Sequence, residues 1–285
     1  MTATERLQLP DAAAIAADVD RAFAEDRGAG DATADLLPAT ASAQAVLTCR
    51  DDAVLCGTAW FDACFRRLDP EVRIWWHAAD GEHIGADTVI CDLAGNARAL
   101  VGAERSALNF LQLLSATATA TAAYVAAVAG TGTRILDTRK TLPGLRIAQK
   151  YAVRCGGGCN HRMGLYDAIL IKENHIIAAG GIEAAVRSAR RAHPELPVEV
   201  EVENLDELAR ALDAGVDRIM LDNFSREDMV AAVQRTDGRT PLEVSGNVDL
   251  DSVAAYARTG VDFISVGALT KHVRAVDLSL RLHLT

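Results

Sequence analysis

This chain predicts an α/β barrel set behind a smaller α+β domain, and three observations lead to that fold class. After Gly130, apolar strand-like runs alternate with helical patterns. The last four of these runs recur about every 21 residues, a βα period that implies a parallel sheet. Several runs end in a polar side chain: Asp137, Lys172, Glu201 or Glu203, Asp222 and Ser245. In a closed βα barrel the carboxyl ends of the strands form the active-site face, whereas an open doubly wound sheet gathers its ligand at one switch point. A polar residue at nearly every strand end therefore favours the barrel. Six strands are clear, so eight are not required.

The first part of the chain has a different rhythm. From Pro10 to Asp26, alanines with Ile15, Val19 and Phe23 recur at helical spacing. The stretch RGAGDATADLLP reads as a loop. Residues 43–50 and 53–57 predict a hairpin around Asp51 and Asp52, and 58–67 a helix. Residues 72–78 and 87–93 read as strands parted by the turn Asp80–Gly81. Together these predict a small antiparallel sheet with helices on one side. A long helix follows over about 103–129. The threonine run in SATATATAAY lowers helix propensity and allows a break there.

In the barrel region the predicted strands are 133–137, 168–172, 197–203, 218–222, 241–245 and 262–266. The helical stretches between them are 181–193, 205–214, 225–234 and 249–258.

Composition narrows the function classes. Half the residues are hydrophobic and the net charge is −10, which argues against a general nucleic-acid binder. The N-terminal stretch carries acids and no secretory core, and no apolar run reads as a membrane span. The expectation is a cytoplasmic protein with reduced thiols. Cys155, Cys159 and His161 match no common zinc spacing, so a turn is the preferred reading.

Against this acidity, one basic stretch stands out. Arg139, Lys140, Arg146, Lys150, Arg154, Arg162 and Lys172 fall close together with His161 and His175. Arg146, Lys150 and Arg154 are spaced four apart and read as a solvated helix face. Arg139, Lys140, His161, Arg162 and Lys172 sit in loops or at a strand end, where binding groups concentrate. Guanidinium groups match carboxylates and phosphates bidentately, so several together imply a ligand with several anionic groups.

The acids and glycines complete a ligand set. Glu201 and Asp222 end consecutive strands, so two carboxylates converge at one mouth and can hold Mg²⁺. Glu199, Glu201 and Glu203 alternate along one strand and share a side, which suits a face toward cations, metal or water. Ser245-Gly246-Asn247 and Gly267-Ala268 are short small-residue loops after the last two strands, of the kind that cradle phosphate. These residues point to a polyanionic small molecule carrying phosphate and magnesium. They do not choose the reaction.

The segments DTRKTLPGLR, GGGCNHR, LIKENH, EVEVEN, IMLDNF, EVSGNV and ISVGALT, with the earlier EDRGAGDAT and ERSALNFLQ, resemble the quinolinate phosphoribosyltransferase family over nearly the whole chain. The resemblance implies an N-terminal open-faced α/β sandwich over residues 1–115 and an irregular barrel of six to seven parallel strands over 116–268, with the tail 269–285 packing back on the first domain. It implies transfer of phosphoribose from phosphoribosyl pyrophosphate (PRPP) to quinolinate with decarboxylation, in NAD biosynthesis. Arg105 from a partner subunit, with Arg139, His161, Arg162 and Lys172, would bind quinolinate. Thr138, Lys140, Lys172, Glu201, Asp222, Ser245, Gly246, Asn247, Val266, Gly267 and Ala268 would bind PRPP. Lys140, Glu201 and Asp222 would be catalytic. Glu201 and Asp222 would hold Mg²⁺ together with PRPP oxygens, with no organic cofactor. The implied state is a homodimer, or a multiple of one, sharing its active sites, with no nucleic-acid or membrane partner. Asn247 stands where many members have Gly, and Glu173 where they have Asp. Neither change removes a needed charge.

Three rival readings remain at this stage. Lys172 at a strand end would suit a Schiff-base aldolase, although the arginine density speaks against it. A related phosphoribosyltransferase could take another acidic ring. A catalytically silent nucleotide-binding protein would not need both Glu201 and Asp222.

Overall fold

The computed structural model describes residues 7–285; the first six residues of the acidic N-terminal stretch lie outside them. The chain divides into two compact units. The first runs to Ala122 and also takes Thr141–Gly157 and Leu269–Thr285, and the second comprises Ala123–Lys140 and Gly158–Ala268. By compactness the boundary falls after Ala122, and the segments 141–157 and 269–285 group with the first unit.

The first unit begins with α1 (Ala12–Asp26), capped by the Asp11 side chain accepting from the Ala13 amide at 3.1 Å. Its elements then run β1 (Ser42–Cys49), β2 (Ala53–Val54), α2 (Thr58–Leu68), β3 (Arg73–Trp76), β4 (His83–Ile84), β5 (Thr88–Asn96) and α3 (Ala97–Ala127). Four strands form an antiparallel sheet in the order β12–β1–β5–β3, where β12 is Leu278–Leu284. Along β1, Ala43, Ala45, Leu47 and Cys49 are buried and the alternate residues are not. One face is thus packed and the other open, the pattern of an open-faced sandwich.

The expected hairpin at Asp51–Asp52 does not form. β1 pairs with β5 and β12, while β2 pairs with β4. Alternation specified strands correctly but could not specify partners about 30 or more residues away.

Helix α3 starts earlier than expected and runs unbroken through the threonines. Thr117, Thr119 and Thr121 donate their hydroxyls to the carbonyls of Leu113, Ser115 and Thr117, which keeps the polar groups satisfied within the helix. Leu100, Ala103, Ala107, Leu111 and Leu114 are all fully buried at helical spacing. Each leucine contributes about 1.5–3 kcal/mol by leaving water. By length and composition α3 could cross a membrane, contrary to the expectation that no run could. Its buried stripe belongs to the core of the first unit.

The second unit is built on β6 (Arg134–Leu136), β7 (Ile169–Ile171), β8 (Val198–Val202), β9 (Arg218–Asp222), β10 (Leu242–Ser245) and β11 (Phe263–Ser265). All are parallel, in the order β6–β11–β10–β9–β8–β7. Leu136 also makes a parallel bridge to Cys159 on its other side, a one-residue seventh position. Among the described residues no ladder joins that end to β7, so the barrel is irregular as expected. Val198, Val200 and Val202 are fully buried on one side of β8, toward α6 (Ile182–Ala192) and α7 (Leu205–Asp213).

Helix α4 (Arg146–Cys155) belongs to the first unit. It corrects one expectation: Lys150 is fully buried, so Arg146, Lys150 and Arg154 are not a solvated face. The helix α5 (Glu173–Ala179) directly after β7 was not anticipated, and α8 is Arg226–Thr236. The stretch expected to be helical over 249–258 narrows to α9 (Val253–Ala257), because Asp249 and Ser252 bond each other in a turn. After β11, α10 (Ala268–Lys271) is a single turn.

Candidate active site at the barrel mouth

The inward residues are odd-numbered on β8, β10 and β11 (Glu201, Glu243, Ser245, Ser265) and even-numbered on β7 and β9 (Leu170, Met220), and on β8 and β10 burial falls toward the carboxyl end. On β8 the Glu199 side chain is 7% exposed and Glu201 is 15% exposed, while Glu203 beyond the strand is open to solvent. On β10, Glu243 is fully buried and Ser245 only partly. The shared side expected for Glu199, Glu201 and Glu203 thus becomes a gradient from barrel interior to rim.

One cavity of about 180 Å³ gathers most of the expected residues. Thr138, Arg139, Lys140, His161, Arg162, Lys172, Glu201 and Ser245 line it, together with Leu170, Met220, Glu243 and Ser265. A larger and mostly apolar groove along β7 shares Arg139, Arg162 and Lys172 with it. The smaller cavity holds the converging polar groups, and the chemistry belongs there.

The loop after β6 carries the first cations. The Thr138 hydroxyl accepts from the Lys140 amide at 3.0 Å and closes a tight turn. A Cβ built on Gly267 would stand 3.0 Å from Lys140 Cδ and 3.7 Å from Thr138 Oγ1. Glycine there lets the β11 loop approach the Lys140 side chain closely.

Lys172 ends β7 and pairs with Glu201 at the end of β8. Asp222 ends β9, where Asn223 Nδ2 donates to its carboxylate at 2.9 Å. Burial raises the Asp222 pKa, Glu201 adds to the rise, and Lys172 and Lys140 oppose it. Glu203 is raised by Glu173 first, and also by Glu207, Asp222 and Glu201. The rim therefore holds more negative charge than its lysines neutralise. A pair of oxygen donors in such surroundings fits a divalent cation, which would relieve the repulsion.

Arg162 shares the cavity wall with Arg139. Its Nη1 donates to the Ala168 carbonyl at 3.1 Å, which ties the guanidinium to the start of β7. Burial lowers its pKa and the Arg139 charge lowers it further. Two guanidinium groups this close favour a ligand with two carboxylates.

His161 is held from several sides. Asp137, fully buried at the end of β6, accepts from the His161 amide at 2.9 Å and from Asn160 Nδ2. The His161 Nδ1 accepts from the Arg162 amide at 2.7 Å. Its Nε2 stands 3.0 Å from Glu199 Oε2 and 3.5 Å from Glu243 Oε2. Burial alone would lower the His161 pKa, but Glu199 and Glu243 outweigh it and raise it. Both ring nitrogens therefore face groups of the chain itself.

The late loops differ in what they offer. The backbone at Gly246 (φ 106°) and Asn247 (φ 44°) is left-handed, as is Asn223 (φ 54°) beside them. A Cβ at Gly246 would overlap the Asn223 side chain. At Val266 the side chain is buried and the amide donates to the Leu136 carbonyl at 2.9 Å. Neither is open to a phosphate, which corrects the place expected for Val266. Ala268 opens α10. Arg105 is exposed on α3 in the first unit.

Sequence reasoning missed Glu243 and Arg218. Glu243 alternates with Leu242 and Val244 as Glu201 does with its valines, so the same period-two signal was present. Arg218 pairs with Glu243 at 3.1 Å and stacks with Arg134 on Phe263, each guanidinium carbon 4.4 Å from the ring centroid. Asn223 was overlooked because a left-handed asparagine has no periodic signature.

Comparison with known proteins agrees over most of the chain. Residues 31–115 match the N-terminal domain, and residues 117–281 the C-terminal domain, of quinolinate phosphoribosyl transferase. The nicotinate-nucleotide pyrophosphorylase (carboxylating) of Mycobacterium leprae is 48% identical over 213 residues, covering 74% of this chain and 75% of its own. The probable enzyme of the same name from Bacillus subtilis is 40% identical, covering 92% and 91%. The solved structure of the nicotinate-nucleotide pyrophosphorylase from Francisella tularensis superposes with a TM-score of 0.94 at 48% identity, covering 98% of this chain and 100% of that one.

Proposed function

The chain belongs to the quinolinate phosphoribosyltransferase family, and from that premise we propose a division of labour among its barrel-mouth residues. The enzyme is a pentosyltransferase of NAD biosynthesis. It joins the phosphoribosyl group of PRPP to quinolinate and releases pyrophosphate and CO₂.

Arg139, Arg162 and Lys172 bind the two carboxylates of quinolinate, with Arg105 supplied by a second copy of the chain. His161 stands behind them. Lys140 and Lys172 neutralise the diphosphate. Thr138, Ser245, Gly246, Asn247, Gly267 and Ala268 surround the 5′-phosphate. Glu201 and Asp222 take the ribose hydroxyls and the Mg²⁺ that arrives with PRPP. Magnesium, when bound, neutralises charge on the departing pyrophosphate. The observation that supports this reading most is the convergence of Arg139, Arg162 and Lys172 on one cavity, facing Glu201.

Charge then assists both bond changes. Loss of pyrophosphate leaves positive character on the ribose, which Glu201 and Asp222 stabilise. Loss of the carboxylate beside the ring nitrogen as CO₂ leaves an electron pair on that carbon, which the new pyridinium and the surrounding cations stabilise until a proton from solvent replaces the lost carboxylate. No side chain needs to form a covalent adduct. The aldolase alternative is disfavoured because Lys172 is paired with a carboxylate, whereas a Schiff-base lysine must lose its proton.

We place the enzyme in the cytoplasm as a homodimer or a multiple of one. Product analysis tests the activity. With Mg²⁺ and PRPP, quinolinate should yield nicotinate mononucleotide and pyrophosphate in equal amounts. Turnover of nicotinate without turnover of quinolinate would sink the proposed substrate.

A further inference from the structure

Below the cations lies a buried ionic cluster to which the reaction itself gives no part. It comprises Glu199 on β8, Arg218 on β9, Glu243 on β10 and the His161 ring. Glu199 is 5% exposed and Glu243 is fully buried, and the Oε1 of each lacks a hydrogen-bond partner. Such carboxylates are costly in a barrel interior unless their charge has a use.

A metal ion is one candidate, since His161, Glu199 and Glu243 bring one ligand atom each within 4.8 Å of one another. The hydrogen bonds argue against it. The Arg162 amide donates to His161 Nδ1, so Nδ1 must keep its lone pair and the ring proton must sit on Nε2. Nε2 then turns its proton toward the Glu199 and Glu243 carboxylates, 3.0 and 3.5 Å away, and has no lone pair for a metal. Arg218 already meets the other carboxylate.

We propose that Glu199 is a positioning residue: its carboxylate, 3.0 Å from His161 Nε2, holds the ring by electrostatic attraction so that Nδ1 fixes the Arg162 backbone and aims Arg162 at a ligand dicarboxylate. The chain of contacts is continuous. Arg218 holds Glu243, and Glu199 with Glu243 flanks His161 Nε2. His161 Nδ1 takes the Arg162 amide, and Arg162 Nη1 is fixed on Ala168. Asp137 anchors the His161 amide from the opposite side. Arg162 is thus held at both its backbone and its guanidinium. A misplaced clamp costs affinity for its ligand even when its charge is intact.

This inference rests on quinolinate being the ligand, and the test separates the two. Glu199→Leu removes the carboxylate at similar volume, while Glu199→Gln keeps a carbonyl oxygen that attracts Nε2–H. The expected result for Glu199→Leu is a rise of tenfold or more in KM for quinolinate. KM for PRPP and kcat should stay within about threefold. Glu199→Gln should stay within about threefold of wild type on all three. Equal quinolinate KM for Glu199→Leu and wild type, or equal loss in both variants, overturns the proposal. An independent readout uses the unaltered protein labelled with ¹⁵N-histidine, the His161 signals being assigned by their loss in His161→Gln. At pH 8, Nδ1 should be unprotonated and Nε2 protonated. Nδ1 protonated at pH 8 in the folded protein overturns it, whether or not either variant folds. Failure of wild type to convert quinolinate would instead remove the functional reading on which the inference stands.

Discussion

Burial drives the Glu243 carboxyl up to about 7 from 4.5, and the Glu199 charge adds to the rise while His161, Arg218 and Ser265 oppose it. A raised carboxyl pKa means that the folded state holds the proton more tightly than the unfolded chain. Its contribution to stability is complete below about pH 4.5 and is lost as pH rises through about 7. Glu243→Gln imitates the protonated form. The gap in melting temperature between Glu243→Gln and wild type should therefore widen in the mutant's favour from pH 5 to pH 8; a gap independent of pH would contradict this. Arg139→Ala tests the division of labour at the mouth. A charged hydrogen-bonding partner contributes about 1.5–3 kcal/mol, so quinolinate binding should weaken by tenfold or more, and PRPP binding much less. Equal weakening by calorimetry would undo the assignment. Legibility varied residue by residue. Lys172, Glu201 and Asp222 were readable because strand ends and alternation mark them. Lys150 was not, because spacing of four says which residues share a helix face but not whether that face meets water.

Among the elements, α3 and α4 show how one small residue fixes packing. A Cβ at Gly156 would overlap the Ala118 carbonyl and come within 2.6 Å of Thr121 Cβ. Both are backbone or stiff groups that cannot swing away. Gly156→Ala should cost about 1–3 kcal/mol of the stability measured by denaturant unfolding, as overpacking does; a wild-type midpoint would show that the contact relaxes freely. The element pattern also explains what the sequence could and could not show. Parallel strands of the second unit were legible because each strand and its helix are neighbours in the chain. The pairing of β1 with β12 joins residues over 200 positions apart, and no local pattern encodes such a partner. The threonines of α3 pointed to a break only because propensity ignores the helix's own carbonyls, which accept their hydroxyls.

At the scale of the whole molecule, the fold class was legible because βα period and polar strand ends are repeated features. The composition of the units was legible only in part: the tail 269–285 groups with the first unit as the family resemblance implied, whereas 141–157 joins it through packing that no sequence rhythm marks. The proposed sharing of the active site between two copies makes its own prediction. Arg105→Ala and Arg139→Ala homodimers should each be nearly inactive. After mixing and subunit exchange, half the dimers are hybrids in which one site lacks neither arginine, so roughly a quarter of the sites should recover. No recovery would place Arg105 in its own chain's site; an active Arg105→Ala homodimer would place it outside the site. The most direct test of the central claim, that the basic barrel mouth couples transfer to decarboxylation of a dicarboxylate, uses quinolinate labelled at the 2-carboxylate. Labelled CO₂ should appear only with PRPP and Mg²⁺, one for each pyrophosphate released, and nicotinate should not react. Labelled CO₂ without PRPP, or pyrophosphate released without CO₂, would contradict it.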